Sequence, residues 1–147
     1  MGKDLVSKVG MEFEPYQFTI ERGKIKEFAL AIGDDNPIYF DREAAQQAGF
    51  RDVPMPPSFA TVIDLWAGPD FESLVTLLEM NPLKVLHGEQ GYDYLNDICA
   101  GDEISVKTRV TEAITKKGMN LITTEKAYTN QHNEQVLVAR AVVIERH

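Results

Sequence analysis

From residue 85 onward the hydrophobic pattern alternates with a period of two, and in the last such run it does so on both faces. Val136, Val138, Val142 and Ile144 form one set, and Leu137, Ala139, Ala141 and Val143 the other. A strand that is apolar on both faces belongs in the middle of a sheet covered on both sides. The same period marks strands over residues 86–94, 103–112, 120–130 and 135–145, with hairpin turns at Lys116-Lys117-Gly118 and Gln131-His132-Asn133-Glu134. Residues 15–20 read as one earlier strand, with Tyr16, Phe18 and Ile20 on one face. Between it and the meander the period is helical. Ile25, Phe28, Ala29 and Ile32 make one stripe that stops at Gly33, and Asp41 is placed to cap a short helix stopped by Gly49. A third helix, residues 58–67, carries Phe59, Val62, Ile63 and Trp66 and is the most apolar, hence the expected buried one; a further short helix is expected within 70–80. An α+β fold follows, with an antiparallel sheet wrapping one apolar helix. One helix cannot cover both faces of that sheet, so the doubly apolar last strand asks for curvature around the helix or for a partner on the other side.

The chain of 147 residues is long enough for one domain, 1–147, with its own core. A net charge of −8 argues against nucleic acid and against anionic membrane surfaces, both of which need a cationic face. The single cysteine, Cys99, allows no internal disulfide and is expected as a small structural residue. No signal-peptide pattern and no long apolar run is present, so a cytoplasmic location is expected. No metal site and no nucleotide or redox cofactor is implied. Arg51, Lys84 and Lys126 are expected as solvated surface charges.

The densest chemistry lies in Gly33-Asp34-Asp35-Asn36-Pro37-Ile38-Tyr39-Phe40-Asp41. Asn36-Pro37 fixes an extended turn, because proline locks its own φ and restricts the residue before it. A carboxylate on such a loop could activate water, or could only satisfy turn amides. Three further segments accompany it: VPMPPSF over residues 53–59, LHGEQ over 86–90 with Tyr92 and Tyr94 beyond, and Ala100-Gly101-Asp102 before the meander.

Taken together, in this order and spacing, these segments resemble the MaoC-like (R)-specific enoyl hydratases and 3-hydroxyacyl dehydratases. The resemblance is closest to their N-terminal half: the FAS1-like dehydratase domain, and the substrate-binding subunit of two-subunit (R)-3-hydroxyacyl-carrier-protein dehydratases. It implies a hot-dog fold, a curved antiparallel sheet around a long central helix, and pairing with another hot-dog unit as a homodimer or heterodimer. It implies an acyl thioester of coenzyme A or acyl carrier protein as ligand, with the acyl group in a tunnel along the central helix. Catalytic members carry G-D-x-N-P-x-H, whose Asp and His bind and activate water, and an H-G-[hydrophobic] segment whose backbone N–H holds the thioester oxygen.

This chain departs from that pattern twice. Tyr39 stands at the histidine, and a phenol of ordinary pKa about 10 is a poor proton shuttle near neutrality. Pro57 stands at the glycine, and proline has no N–H to donate. Asp34 is the candidate catalytic residue that remains. Asn36, Tyr39, Pro57, Ser58, Phe59, Ile63 and Trp66 are the expected substrate contacts, with Leu65 beside them on the tunnel wall. The leading expectation is the acyl-binding half of a dehydratase/hydratase that needs a partner with the Asp/His pair. Two alternatives stand beside it: a self-sufficient homodimeric hydratase or thioesterase using Asp34, and a non-catalytic acyl-thioester binding module. His87 within LHGEQ is read as structural, and strand alternation turns one of Glu89 and Gln90 inward.

Overall fold

The computed structural model describes residues 4–147. Five strands form one antiparallel sheet in the order β1-β3-β4-β5-β2: β1 Tyr16–Thr19, β2 Val85–Tyr94, β3 Glu103–Lys116, β4 Met119–Thr129 and β5 Gln135–Arg146. Four α-helices lie between β1 and β2: α1 Arg22–Ile32, α2 Arg42–Gln47, α3 Ala60–Ala67 and α4 Phe71–Leu77. The sheet curls around α3 as a hot-dog fold. Among the described residues no helix is long and apolar enough to cross a membrane.

The doubly apolar β5 is the fourth of the five strands and is buried on both faces, at Leu137, Ala139 and Val143 on one and Val142 on the other, while Val136, the extra residue of a bulge against β4, joins the same core as Leu137. β3 runs past its expected end at residue 112. The break in alternation there is a bulge between Val110 and Glu112, not a terminus, and pairing with β4 resumes to Lys116. Lys117 and Gly118, with φ of 51° and 72°, close that hairpin in the left-handed geometry a two-residue turn requires. Residues 10–13 extend the β1 edge, where Gly10 N–H and Phe13 N–H donate to Val110 and Thr108 carbonyls.

Helix α3 is shorter than expected. A turn over residues 57–59 precedes it, and it spans only 8 residues before Gly68. Only one stripe is buried: Phe59, Ala60 and Ile63 are sealed in the core, whereas Leu65 and Trp66 are 74% and 78% exposed. Apolar composition alone does not bury all sides of a helix that packs against a single sheet.

Asp102, in the Gly101-Asp102 turn, ties three segments together. Its buried carboxylate accepts from Arg51 Nη1 and Nη2 at 3.1 and 2.9 Å, from the Cys99 N–H at 2.9 Å and from Gln131 at 3.1 Å. Burial pushes its pKa up, but these donors together hold it below the usual carboxylate value. Asp52, gripped by Arg22 at 2.9 and 2.7 Å, is held down at about 2. A carboxyl depressed in the folded state stabilises the fold above its unfolded pKa, about 3.9, and that contribution is lost as pH falls through the folded value. Denaturation midpoints should therefore hold down to about pH 4 and fall between there and about pH 2. Asp52→Asn should flatten part of that slope; a wild-type midpoint unchanged across the window would contradict the assignment.

Candidate functional site

The loop after α1 is built as its sequence suggests. Gly33, at φ 73°, ends α1 in the left-handed conformation, and Asp34 N–H reaches back to the Ala29 carbonyl at 2.9 Å. Asp34 Oδ1 then accepts from Asn36 N–H at 3.0 Å, and Asn36 Oδ1 from Ile38 N–H at 3.2 Å. Two successive side-chain turns lock the loop, with Asp34 half-buried and Asn36 exposed. Tyr39 is buried, in the same core cluster as Phe59 and Ile63. Burial, and then the Asp34 carboxylate, push its phenol further above the ordinary value. Tyr39 therefore stays protonated at neutral pH: it can donate a hydrogen bond but cannot act as a base.

Tyr39 and Pro57 line one cavity of about 450 Å³, together with Ile38, Met55, Tyr94 and Leu95. Tyr94 Oη donates to the Pro57 carbonyl at 2.6 Å and so ties the end of β2 to the turn before α3. Ser58 N–H makes no backbone hydrogen bond among the described residues, but Pro57 offers no N–H at all. Of the other expected contacts, Asn36, Ser58, Phe59, Ile63 and Trp66 line neither this cavity nor the second one described next, and Phe59 and Ile63 are fully buried in the core.

A second constellation escapes the linear sequence. Asp64, on the inner side of α3, accepts from Tyr16 Oη at 2.6 Å and Tyr128 Oη at 2.8 Å, and pairs with Lys126 Nζ at 3.0 Å. Burial first, and then the Asp64 charge, raise both phenols well above their ordinary range. Lys126 is thus not a solvated surface charge, and Arg51 is committed to buried Asp102. Beside Asp64, Tyr92 and Thr61 share a hydrogen bond of 2.8 Å. Asp64, Thr61, Tyr92 and Lys126 border a cavity of about 230 Å³. A clue lay in the sequence: Asp64 is an acid on the most apolar helix. Its partners, however, lie 48 and 64 residues away.

Of LHGEQ, Gln90 lines this second cavity while remaining exposed, and Glu89 turns away to Arg140 at 3.0 Å. A bulge at Gly88 allows His87 also to face that cavity, three residues from Gln90. A Cβ on Gly88 would sit 2.7 Å from the end of the Ile144 side chain and 3.1 Å from the Val142 carbonyl, so a larger residue there would have to displace Ile144. Among the described residues no group of His, Cys, Asp and Glu could hold a metal ion.

The sequence model of the family described as FAS1-like, dehydratase domain region, matches residues 7–139. The chain belongs to this family. Relatives of this chain include a UPF0336 protein of Thermobifida fusca, 33% identical over 90% of this chain and 86% of the relative. Another, of Streptomyces coelicolor, is 32% identical over 95% and 93%. Among solved structures, the C-terminally truncated HadBC (3R-hydroxyacyl-ACP dehydratase) complex of Mycobacterium tuberculosis matches at TM-score 0.79 and 22% identity, covering 93% of this chain and 96% of that one. A MaoC-like dehydratase of Rhodospirillum rubrum matches at TM-score 0.70 and 25% identity over 95% and 93%. A further MaoC-like dehydratase matches at TM-score 0.83 and 23% identity over 97% of this chain but only 43% of its own. The fold and the dehydratase/hydratase family are thereby established.

Proposed function

We propose that this chain is the acyl-binding half of an (R)-specific 3-hydroxyacyl-thioester dehydratase, equally a 2-enoyl-thioester hydratase, completed by a second hot-dog subunit that supplies the Asp/His pair. The observation that carries this is that Tyr39 and Pro57, the two departures from the catalytic pattern, line the same cavity. The pocket that would receive the thioester has thus lost both water activation and oxyanion donation. Asp34 remains half-buried, with one oxygen committed to the loop. The thioester, carried by coenzyme A or acyl carrier protein, would enter at this cavity.

Two further features support a partner. β2 is an edge strand of 10 residues, largely exposed, with no strand paired on its outer side among the described residues, so it could extend the sheet. Leu65, Trp66 and Phe71 expose apolar surface on α3 and α4. Trp66 would become a substrate or subunit contact only in such an assembly. Affinity purification from the native cell is the test. Recovery with a hot-dog subunit carrying an intact G-D-x-N-P-x-H loop is expected; recovery as an active homodimer alone would overturn the proposal.

A further inference from the structure

The concave face of the sheet is ordered in rows. Tyr16, Val106, Tyr128, Leu137 and Tyr94 pair across it, and the next row is Thr108, Lys126, Ala139 and Tyr92. Tyr16, Val106, Tyr128 and Leu137 of the first row belong to the core around Phe59 and Ile63. A second apolar cluster, with Phe13, Val110, Ile122 and Val143, lies further along the sheet. Between the two runs a polar belt of Lys126, Tyr92, Thr108 and Thr124, facing Asp64 and Thr61 of α3. Thr108 Oγ1, in a residue only 3% exposed, has no hydrogen-bond partner of normal geometry, although the Tyr16 hydroxyl lies near it. A buried hydroxyl left so is unusual and marks a place where the core does not close as hydrocarbon.

The two cavities share no lining residue, and the belt forms part of the wall of the second. Pro57 lines the first and Thr61 the second, four residues further along the same segment. Tyr94 and Tyr92, two residues apart on one face of β2, bond to Pro57 and Thr61 respectively. A chain laid from the first cavity along α3 therefore meets two tyrosine crossbars and then the Asp64–Lys126 pair. Beyond them the walls turn apolar again, at Phe13, Leu74 and Val143.

Resting on the acyl-thioester reading above, we infer that the Asp64–Lys126 pair with Tyr92 is a length stop, so that only the first few carbons of an acyl chain gain contacts and the apolar space behind the pair is not reached. A hydrocarbon tail gains nothing by pressing on a satisfied ion pair, and parting that pair would strand both charges. In an open apolar tunnel each added methylene should instead tighten binding about fourfold.

The experiment titrates the purified full chain with butyryl-, hexanoyl- and decanoyl-CoA, read by calorimetry. Expected for the wild type is binding of butyryl-CoA, with affinity changing less than about twofold from hexanoyl to decanoyl, against several hundredfold for an open tunnel at fourfold per methylene. Lys126→Ala removes one post of the stop and leaves Asp64 its tyrosine donors; Tyr92→Ala removes the other. Either, folded by its thermal melt, should restore at least a tenfold gain from hexanoyl to decanoyl. A steady rise with chain length in the wild type overturns the length stop and leaves the acyl-thioester reading standing. Flat series in both variants likewise reject these residues as the stop. Binding of none of the three thioesters overturns the acyl-thioester reading, and the length stop with it.

Discussion

Asp64→Ala should destabilise the fold by about 3–5 kcal/mol. The carboxylate receives two buried tyrosine hydroxyls and the Lys126 ammonium. Truncation leaves all three donors facing a small void. An unsatisfied buried hydroxyl costs about 1–3 kcal/mol, and an uncompensated buried charge more. Tyr128→Phe, which removes one donor and leaves the acceptor otherwise satisfied, should cost only about 1–2 kcal/mol. Urea unfolding of the two variants beside the wild type measures both. A loss below about 1 kcal/mol for Asp64→Ala would mean that the network is not closed in solution.

The second large effect concerns chemistry. Tyr39→His and Pro57→Gly each restore one of the two missing functions. Neither alone should yield measurable hydration of crotonyl-CoA, because the other loss remains. A positioned acid–base group contributes about 10²–10⁴ in rate and one oxyanion donor about 10²–10³. The double variant should therefore exceed either single variant by at least about 10². Pro57→Gly also loosens the unfolded chain, at about 1 kcal/mol of stability, so thermal melts accompany the assay. If Tyr39→His alone matches the double variant, the oxyanion argument at Pro57 is wrong.

The strands, α1 and its glycine stop, and the Asp41 cap were legible in the sequence because each depends on neighbours within a few residues: Asp41 accepts from Glu43 N–H, as an N-cap does. The identity of the loop was legible for the same reason. Bulges were not. The slips after Val110 and at Gly88 lengthen β3 and bring both His87 and Gln90 to the rim of the second cavity, and their placement depends on the facing strands. Nor was the solvent face of α3, where Leu65 and Trp66 read as core by composition. The Asp64 network was least legible. Lys126 looks like any strand lysine until β4 is set in register against α3, and only the placement of an acid on an apolar helix hinted that it had a partner.

Hydration of crotonyl-CoA by the purified chain, followed as loss of the enoyl thioester, tests the central claim most directly. The expected result is no turnover above buffer by the chain alone, with turnover appearing when a hot-dog subunit bearing the intact Asp/His loop is added. Robust hydration by the chain alone, abolished by Asp34→Asn, would contradict the account and make Asp34 a catalytic base without its histidine.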